Sequence, residues 1–281
     1  MSKVLVIGNK GMLGQGLMKA FQKDHEVIGS DYDTFDITDE KIVKEKINQI
    51  KPDLVINAAA YNNVDLTETN QEEFAKAKMV NGQAVGYLAS ACAENKIILI
   101  HYSSDYVFRG DNKDGYAEDA PTDPVNKYGE SKALGEMLLQ SSGANFYLIR
   151  LSKLFGPAGG GKKSFVDTMI DLVANQGKKE LKLVNEEFSC PTYSADLINF
   201  TRALWEQNHP FGIYHGANSG ACTWYEFGLE IFKQKNLEVN CVPVSADEFP
   251  RPAKRPVFSE LLNTKMPKQR YWTEALADYL K

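Results

Sequence analysis

Strand-like and helix-like segments alternate through the first half of the chain. A glycine-rich turn follows the first strand directly, and 43% of the 281 residues are hydrophobic, enough to cover a sheet on both faces. These observations predict an α/β fold, a doubly wound parallel sheet with a second, smaller domain towards the C-terminus. Strands are expected at 3–8, 26–30, 54–57, 97–102 and 146–151, and helices at 11–23, 39–50, 74–95 and 125–141. The run Ile97 to Ile100 is apolar throughout, as a parallel strand buried on both faces should be. The first helix places Leu13, Leu17, Met18 and Phe21 on one side. Pro124 is expected to help start the fourth helix, because its fixed φ suits a first turn.

Beyond Leu151 the rhythm breaks. Gly156-Pro157-Ala158-Gly159-Gly160-Gly161 reads as a flexible loop, 164–175 as a helix, 181–185 as a strand and 195–207 as a helix returning to the sheet. Residues 1–155 are therefore expected to form the first domain, rejoined by about 186–210, and 156–281 mainly the second.

Composition narrows the function classes. The net charge is −5, with no basic stripe or tail, which argues against nucleic acid and anionic membranes as partners. No apolar run approaches membrane length and the N-terminus enters a strand at once, so a cytoplasmic protein is expected. Cys92, Cys190, Cys222 and Cys241 are widely spaced and make no zinc pattern with the four histidines. Reduced thiols and no metal site are expected.

The first motif is Gly8-Asn9-Lys10-Gly11-Met12-Leu13-Gly14. Strand, glycine loop and helix make the layout of a pyrophosphate site, in which glycines admit the phosphates to the positive helix end. The spacing is GxxGxxG rather than GxGxxG, and an ordinary glycine turn has the same look. Asp31 falls where the second strand ends, placed to hydrogen-bond an adenosine ribose and to repel a 2′-phosphate. Lys10 pulls the other way, towards that phosphate. The cofactor expected is NADH or NADPH, with the balance towards NADH. Asp36-Ile37 is a candidate frame for adenine. Ala58, Ala59 and Ala60 close the third strand with side chains small enough for a flat cofactor, or for helix–sheet packing.

The second motif is Tyr128-Gly129-Glu130-Ser131-Lys132, with phenol and ammonium four residues apart on one helix face. A cation beside a phenol lowers its pKa and makes a proton donor for a nascent alkoxide. A solvated helix face shows the same spacing. The third motif, Ser103-Ser104-Asp105-Tyr106, follows a buried strand, where residues face a ligand crevice and a hydroxyl steadies a carbonyl. Serine there is also ordinary turn chemistry. Arg251, Lys254 and Arg255, spaced by prolines, suit either a substrate phosphate or a solvated loop.

Taken together, GNKGMLG, NAAAY with Val64-Asp65 and Glu68, SSDYVF, YGESK, FVDTM, CPTY, GIYHGANSG, WYEF and EFPRPAKRP resemble the extended short-chain dehydrogenase/reductases, and within them the dTDP-4-dehydrorhamnose reductases and their sugar-nucleotide relatives. The resemblance runs nearly the whole length. It implies a Rossmann-type domain, a smaller substrate-binding domain, a nucleotide-sugar substrate and a Ser–Tyr–Lys triad at Ser104, Tyr128 and Lys132. Tyr128 would donate the proton, Lys132 would lower its pKa and hold the nicotinamide ribose, and Ser104 would hydrogen-bond the C4 ketone. Asp105, Tyr106, Lys153 and Arg251 would line the substrate pocket. Lys153 stands where the family usually has tryptophan, which puts the identity of the sugar in question. Dehydratases and epimerases of this fold carry Asp-Glu after the triad hydroxyl, whereas Ser104 is followed by Asp105 and Tyr106. A regulatory protein on the same scaffold is the alternative from another class. The assembly expected is a monomer or homodimer, and the magnesium bridge of some relatives is not carried over.

Overall fold

In the computed structural model, which describes residues 1–161 and 163–281, strand β1 (Lys3–Ile7) leads through the glycine turn into helix α1 (Met12–Phe21). The chain continues through β2 (Glu26–Ser30), α2 (Glu40–Ile50) and β3 (Leu54–Asn57). Helices α3 (Val64–Thr69), α4 (Gln71–Lys78) and α5 (Ala84–Asn95) precede β4 (Ile98–Ser104), α6 (Lys127–Gln140) and β5 (Phe146–Leu151). After β6 (Leu154–Phe155), α7 (Phe165–Ile170), β7 (Glu180–Val184) and β8 (Thr192–Tyr193) come α8 (Ser194–Glu206) and β9 (Gly212–His215). Helix α9 (Trp224–Gln234), β10 (Asn240–Val244) and α10 (Trp272–Tyr279) complete the chain.

The main sheet runs β2-β1-β3-β4-β5-β9, and every pairing in it is parallel. Alternation along each strand divides its side chains between two cores. Leu5, Ile7, Val55, Leu99 and Leu148 pack with α2 and α5 on one face, while Val4, Val6, Ile56, Ile100 and Ile149 pack with α1 and α8 on the other. The chain leaves β1 for β2 on one side and returns to β3 on the other. The carboxyl ends of β1 and β3 therefore border the switch-point crevice where ligands bind in such sheets.

A further core gathers Phe155, Val166, Met169, Leu183, Phe227, Ile231, Phe232, Trp272 and Leu276 from β6, α7, β7, α9 and α10, where the short parallel pairs β7–β10 and β6–β8 lie. Strand β9, unforeseen in the sequence, extends the main sheet at β5. Four residues ending in a buried histidine give no strand-length apolar run.

The single helix expected over 74–95 is two helices joined by a π-helical turn, Met79–Gln83. The turn buries Asn81, whose amide exchanges hydrogen bonds with the backbone of Tyr61 at 2.9 Å each way and donates to Ser131 Oγ at 3.0 Å. Helix α3 also went unforeseen; Asn63 caps it, and Asn70 caps α4 by accepting from Glu72 and Glu73 amides at 2.9 and 3.2 Å. The helix carrying Tyr128 starts at Lys127, later than expected. Extended Asn126 is its cap, accepting from the Gly129 amide at 2.7 Å, and Pro124 lies ahead of the cap.

Candidate active site

Gly8 begins the glycine turn with φ +78°, a left-handed conformation that glycine adopts without penalty. Its amide donates to Ser30 O at 2.8 Å, tying the turn to β2. A Cβ on Gly8 would lie 2.7 Å from the Ala59 nitrogen, and one on Gly14 would lie 2.0 Å from Gly8 O. The turn thus lets α1 and the Ala58–Ala60 segment close on one another. Helix α1 starts at Met12 after extended Gly11, with neither a side-chain cap nor an acid in its first turn. The first amides of α1, without a side-chain cap, stand at the positive end of the dipole beside a turn whose glycines pack backbone on backbone, a donor set that fits the pyrophosphate of a dinucleotide.

Around this cradle the other candidate cofactor residues fall unevenly. Asp31 follows β2 directly, beside the turn, and accepts from the Lys10 amide at 3.2 Å and the Tyr32 amide at 2.9 Å. The Lys10 ammonium turns instead to Asp33, 2.6 Å away, in an exposed pair. Asp36 accepts from the Thr38 amide and hydroxyl at 2.9 and 2.7 Å, so one oxygen is committed to its own loop. Ile37 is buried in the α2–α5 core.

Ser104 ends β4, and α6, packed on that strand, sets the Tyr128 phenol beside the Ser104 hydroxyl and carries Lys132 one turn further on. Gly129 makes this approach feasible, since a Cβ there would lie 2.2 Å from Tyr106 O. A buried ion pair fixes α6 against β5: Arg150 donates to Glu136 at 3.0 and 2.7 Å, and its guanidinium lies over Phe108. On the outer side, Glu68 accepts from the Lys127 amide at 2.6 Å.

Tyr128, 8% exposed, donates to Asn62 Oδ1 at 3.3 Å and meets Tyr106 edge to face at 5.8 Å. Burial raises its pKa, with the nearby Asp105 and Tyr106 adding to the rise and the Ser104 hydroxyl opposing it. Lys132, 3% exposed, donates to Tyr102 O at 3.2 Å, and burial brings its ammonium down to about 8. As arranged here, Tyr128 is a firmly protonated acid governed by desolvation, and Lys132 does not supply the lowering expected from the sequence. Ser104 accepts from the Tyr106 amide at 3.2 Å and donates to Asp105 at 3.0 Å. Asp105 is buried and pushed up to about 6 by that burial, against hydrogen bonds from Ser259 and Ser104 and the Lys153 charge.

The wall facing this group is made of paired charges. Lys153, at φ +41°, donates to Cys222 O at 2.5 Å and Glu187 O at 3.2 Å and lies 4.7 Å from the Trp224 ring centroid. Burial lowers its pKa. Arg251 forks onto Glu187, which also accepts from Trp224 Nε1 at 3.2 Å, and Arg255 forks onto Asp65 at 2.5 and 2.9 Å. Asn62, Asp65, Glu187 and Ser259 were missed as site residues. Only Asp65 had a signal, as part of the segment quoted after NAAAY; the others are brought in by the fold.

The model of the RmlD substrate binding domain matches residues 2–281. The chain belongs to that family. It is 36% identical to the spore coat polysaccharide biosynthesis protein SpsK of Bacillus subtilis (strain 168), covering 100% of this chain and 98% of that one. It is 33% identical to the dTDP-4-dehydrorhamnose reductase of Burkholderia thailandensis, covering 97% and 94%. The crystal structure of dTDP-4-dehydrorhamnose reductase from Bacillus anthracis str. Ames in complex with NADP superposes with a TM-score of 0.93 at 32% identity, covering 99% of this chain and 98% of that chain. The chain is thus an extended short-chain dehydrogenase/reductase of the dTDP-4-dehydrorhamnose reductase type, an oxidoreductase of a nicotinamide dinucleotide. Its fold is the Rossmann-type sheet expected.

Proposed function

We propose that the protein reduces the C4 ketone of a nucleotide-linked 4-keto-6-deoxy sugar, with dTDP-4-dehydrorhamnose as the substrate and dTDP-rhamnose as the product. The observation that supports this reading is the Ser104 hydroxyl beside the Tyr128 phenol at the end of β4, with Lys132 one turn further along α6 and bonded to Tyr102 O of the same strand. The nicotinamide, when bound, supplies the hydride. Tyr128, kept protonated by burial, gives its proton to the developing alkoxide, a far stronger base than the phenolate it leaves behind. Lys132 holds positive charge beneath it, and Ser104 turns its hydroxyl to the ketone oxygen. Residues 1–155 with 186–210 carry the cofactor, and 156–281 mainly the sugar nucleotide. Asp31 reads the adenosine ribose and favours NADH, while Lys10 keeps NADPH usable.

Lys153 favours a second reading, a different 4-keto sugar. Its ammonium is spent on two carbonyls and an indole face, so the pocket presents Trp224 and the aliphatic stem of Lys153 in place of the family tryptophan. The test is oxidation of NADH and NADPH by the purified protein with freshly made dTDP-4-dehydrorhamnose, alongside other nucleotide 4-keto sugars. Rapid oxidation with the first supports the proposal; oxidation only with another selects the second reading. None with any, while the cofactor binds, removes both.

A further inference from the structure

Ser104 has one proton, and the structure directs it to a neighbouring carboxylate. The hydroxyl donates to Asp105 Oδ1 at 3.0 Å. The other Asp105 oxygen is held from the far end of the chain, by Ser259 Oγ at 2.7 Å. Asp105 and Ser259 are each 2% exposed, so no solvent competes for these bonds. Backbone bonds fix Ser259 in place: its amide donates to Phe188 O at 2.8 Å, the Phe258 amide to Gly110 O at 2.9 Å and the Phe188 amide to Val257 O at 2.7 Å.

We propose that Ser259 is a positioning residue for Ser104, acting through Asp105. By anchoring one carboxyl oxygen it fixes the plane of the other, and so fixes the direction of the Ser104 hydroxyl. The C-terminal segment thereby completes the reacting group that β4 and α6 begin. An ionised Asp105 accepts the Ser104 proton; a protonated Asp105 donates to Ser104 and releases that proton towards a ketone oxygen. The titratable groups facing Asp105 are Lys153, Tyr106, Tyr128 and Cys190. Among these Lys153 is the cation, and it favours the ionised form. Hydrogen bonds to the ionised carboxylate favour it as well, so removing Ser259 raises the Asp105 pKa.

The proposal rests on the reductase reading only where kcat is the readout. At pH below the inflection, where Asp105 is protonated in both proteins, Ser259→Ala should lower kcat by about tenfold, the scale of a modest misplacement, with KM and coenzyme affinity within about twofold. Ser259→Thr, which keeps the hydroxyl, should restore it. A pH–kcat inflection from Asp105 should move up in Ser259→Ala and vanish in Asp105→Asn, whose amide can still bond both serines. Independently of turnover, the carboxyl carbon of Asp105, assigned in NMR spectra by its loss in Asp105→Asn, should titrate at higher pH in Ser259→Ala. An unmoved carboxyl titration overturns the clamp even if the wild type reduces no sugar. Equal kcat in wild type and Ser259→Ala, or failure of Ser259→Thr to restore a lost kcat, overturns the positioning role.

Discussion

The two walls of the crevice follow opposite electrostatic plans. On the β1–α1 wall, recognition lies in the backbone: the start of α1 has no side-chain cap, and at Gly8 and Gly14 backbone packs on backbone too closely for a Cβ. On the facing wall Lys153 bonds two carbonyls, Arg251 pairs with Glu187 and Arg255 with Asp65. A backbone cradle accepts any ligand of the right shape. A wall of paired charges yields only to a ligand that replaces the partners it displaces, because an unpaired buried charge is costly. Cofactor binding should therefore depend on space, and sugar selection on the strength of existing pairs.

The largest effect expected falls between the walls. Tyr128→Phe should lower turnover by about 10²–10⁴-fold, the range for a lost general acid, while coenzyme affinity measured by fluorescence titration stays within about twofold. Persistent turnover would show that another group donates the proton.

Gly14→Ala tests the first wall. A methyl 2.0 Å from Gly8 O forces the turn apart, so coenzyme affinity should fall by about tenfold or more, consistent with overpacking costs of about 1–3 kcal/mol. Lys153→Met tests the second: the Glu187 and Cys222 carbonyls lose their donor, and stability should fall by about 1–3 kcal/mol in denaturant titration, with coenzyme affinity intact. If Lys153→Met weakened coenzyme instead, the walls would not be separable.

Lys132 links the walls to pH. Burial holds it at about 8, below its ordinary 10.5, so between these values the unfolded chain binds more protons than the folded one and stability rises with pH. Lys132→Met should abolish that rise and stabilise the protein at neutral pH by roughly 1–3 kcal/mol, while abolishing turnover. Melting temperatures across pH 7–10 would show it. The smallest effect is at the rim: Asp33→Asn frees Lys10 from an exposed, solvent-screened pair, so the KM for NADPH should fall only about threefold relative to NADH.

The same contrast explains what the sequence discloses. The cradle is local, and Gly8 to Gly14 with the strand before and the helix after carry its geometry in one stretch. Tyr128 and Lys132 are legible for the same reason, since helix spacing alone sets them on one face. The facing wall is not local. Glu187, Trp224, Arg251 and Lys153 meet only after two short parallel strand pairs and a third core have formed, and Ser259 reaches Asp105 across 154 residues. The π turn at Met79–Gln83 was hidden by good helix formers on both sides, and β9 by its length. The phenol's environment was misjudged because spacing reports proximity and not burial, and burial dominates its pKa.

The central claim is that Tyr128, Ser104 and Lys132 surround a sugar ketone at C4. The most direct measurement is turnover of dTDP-4-dehydrorhamnose with nicotinamide coenzyme deuterated at its hydride position. The account predicts a product with one deuterium at sugar C4, and loss of that labelled product in Tyr128→Phe. Deuterium at another carbon, or labelled product undiminished in Tyr128→Phe, would contradict it.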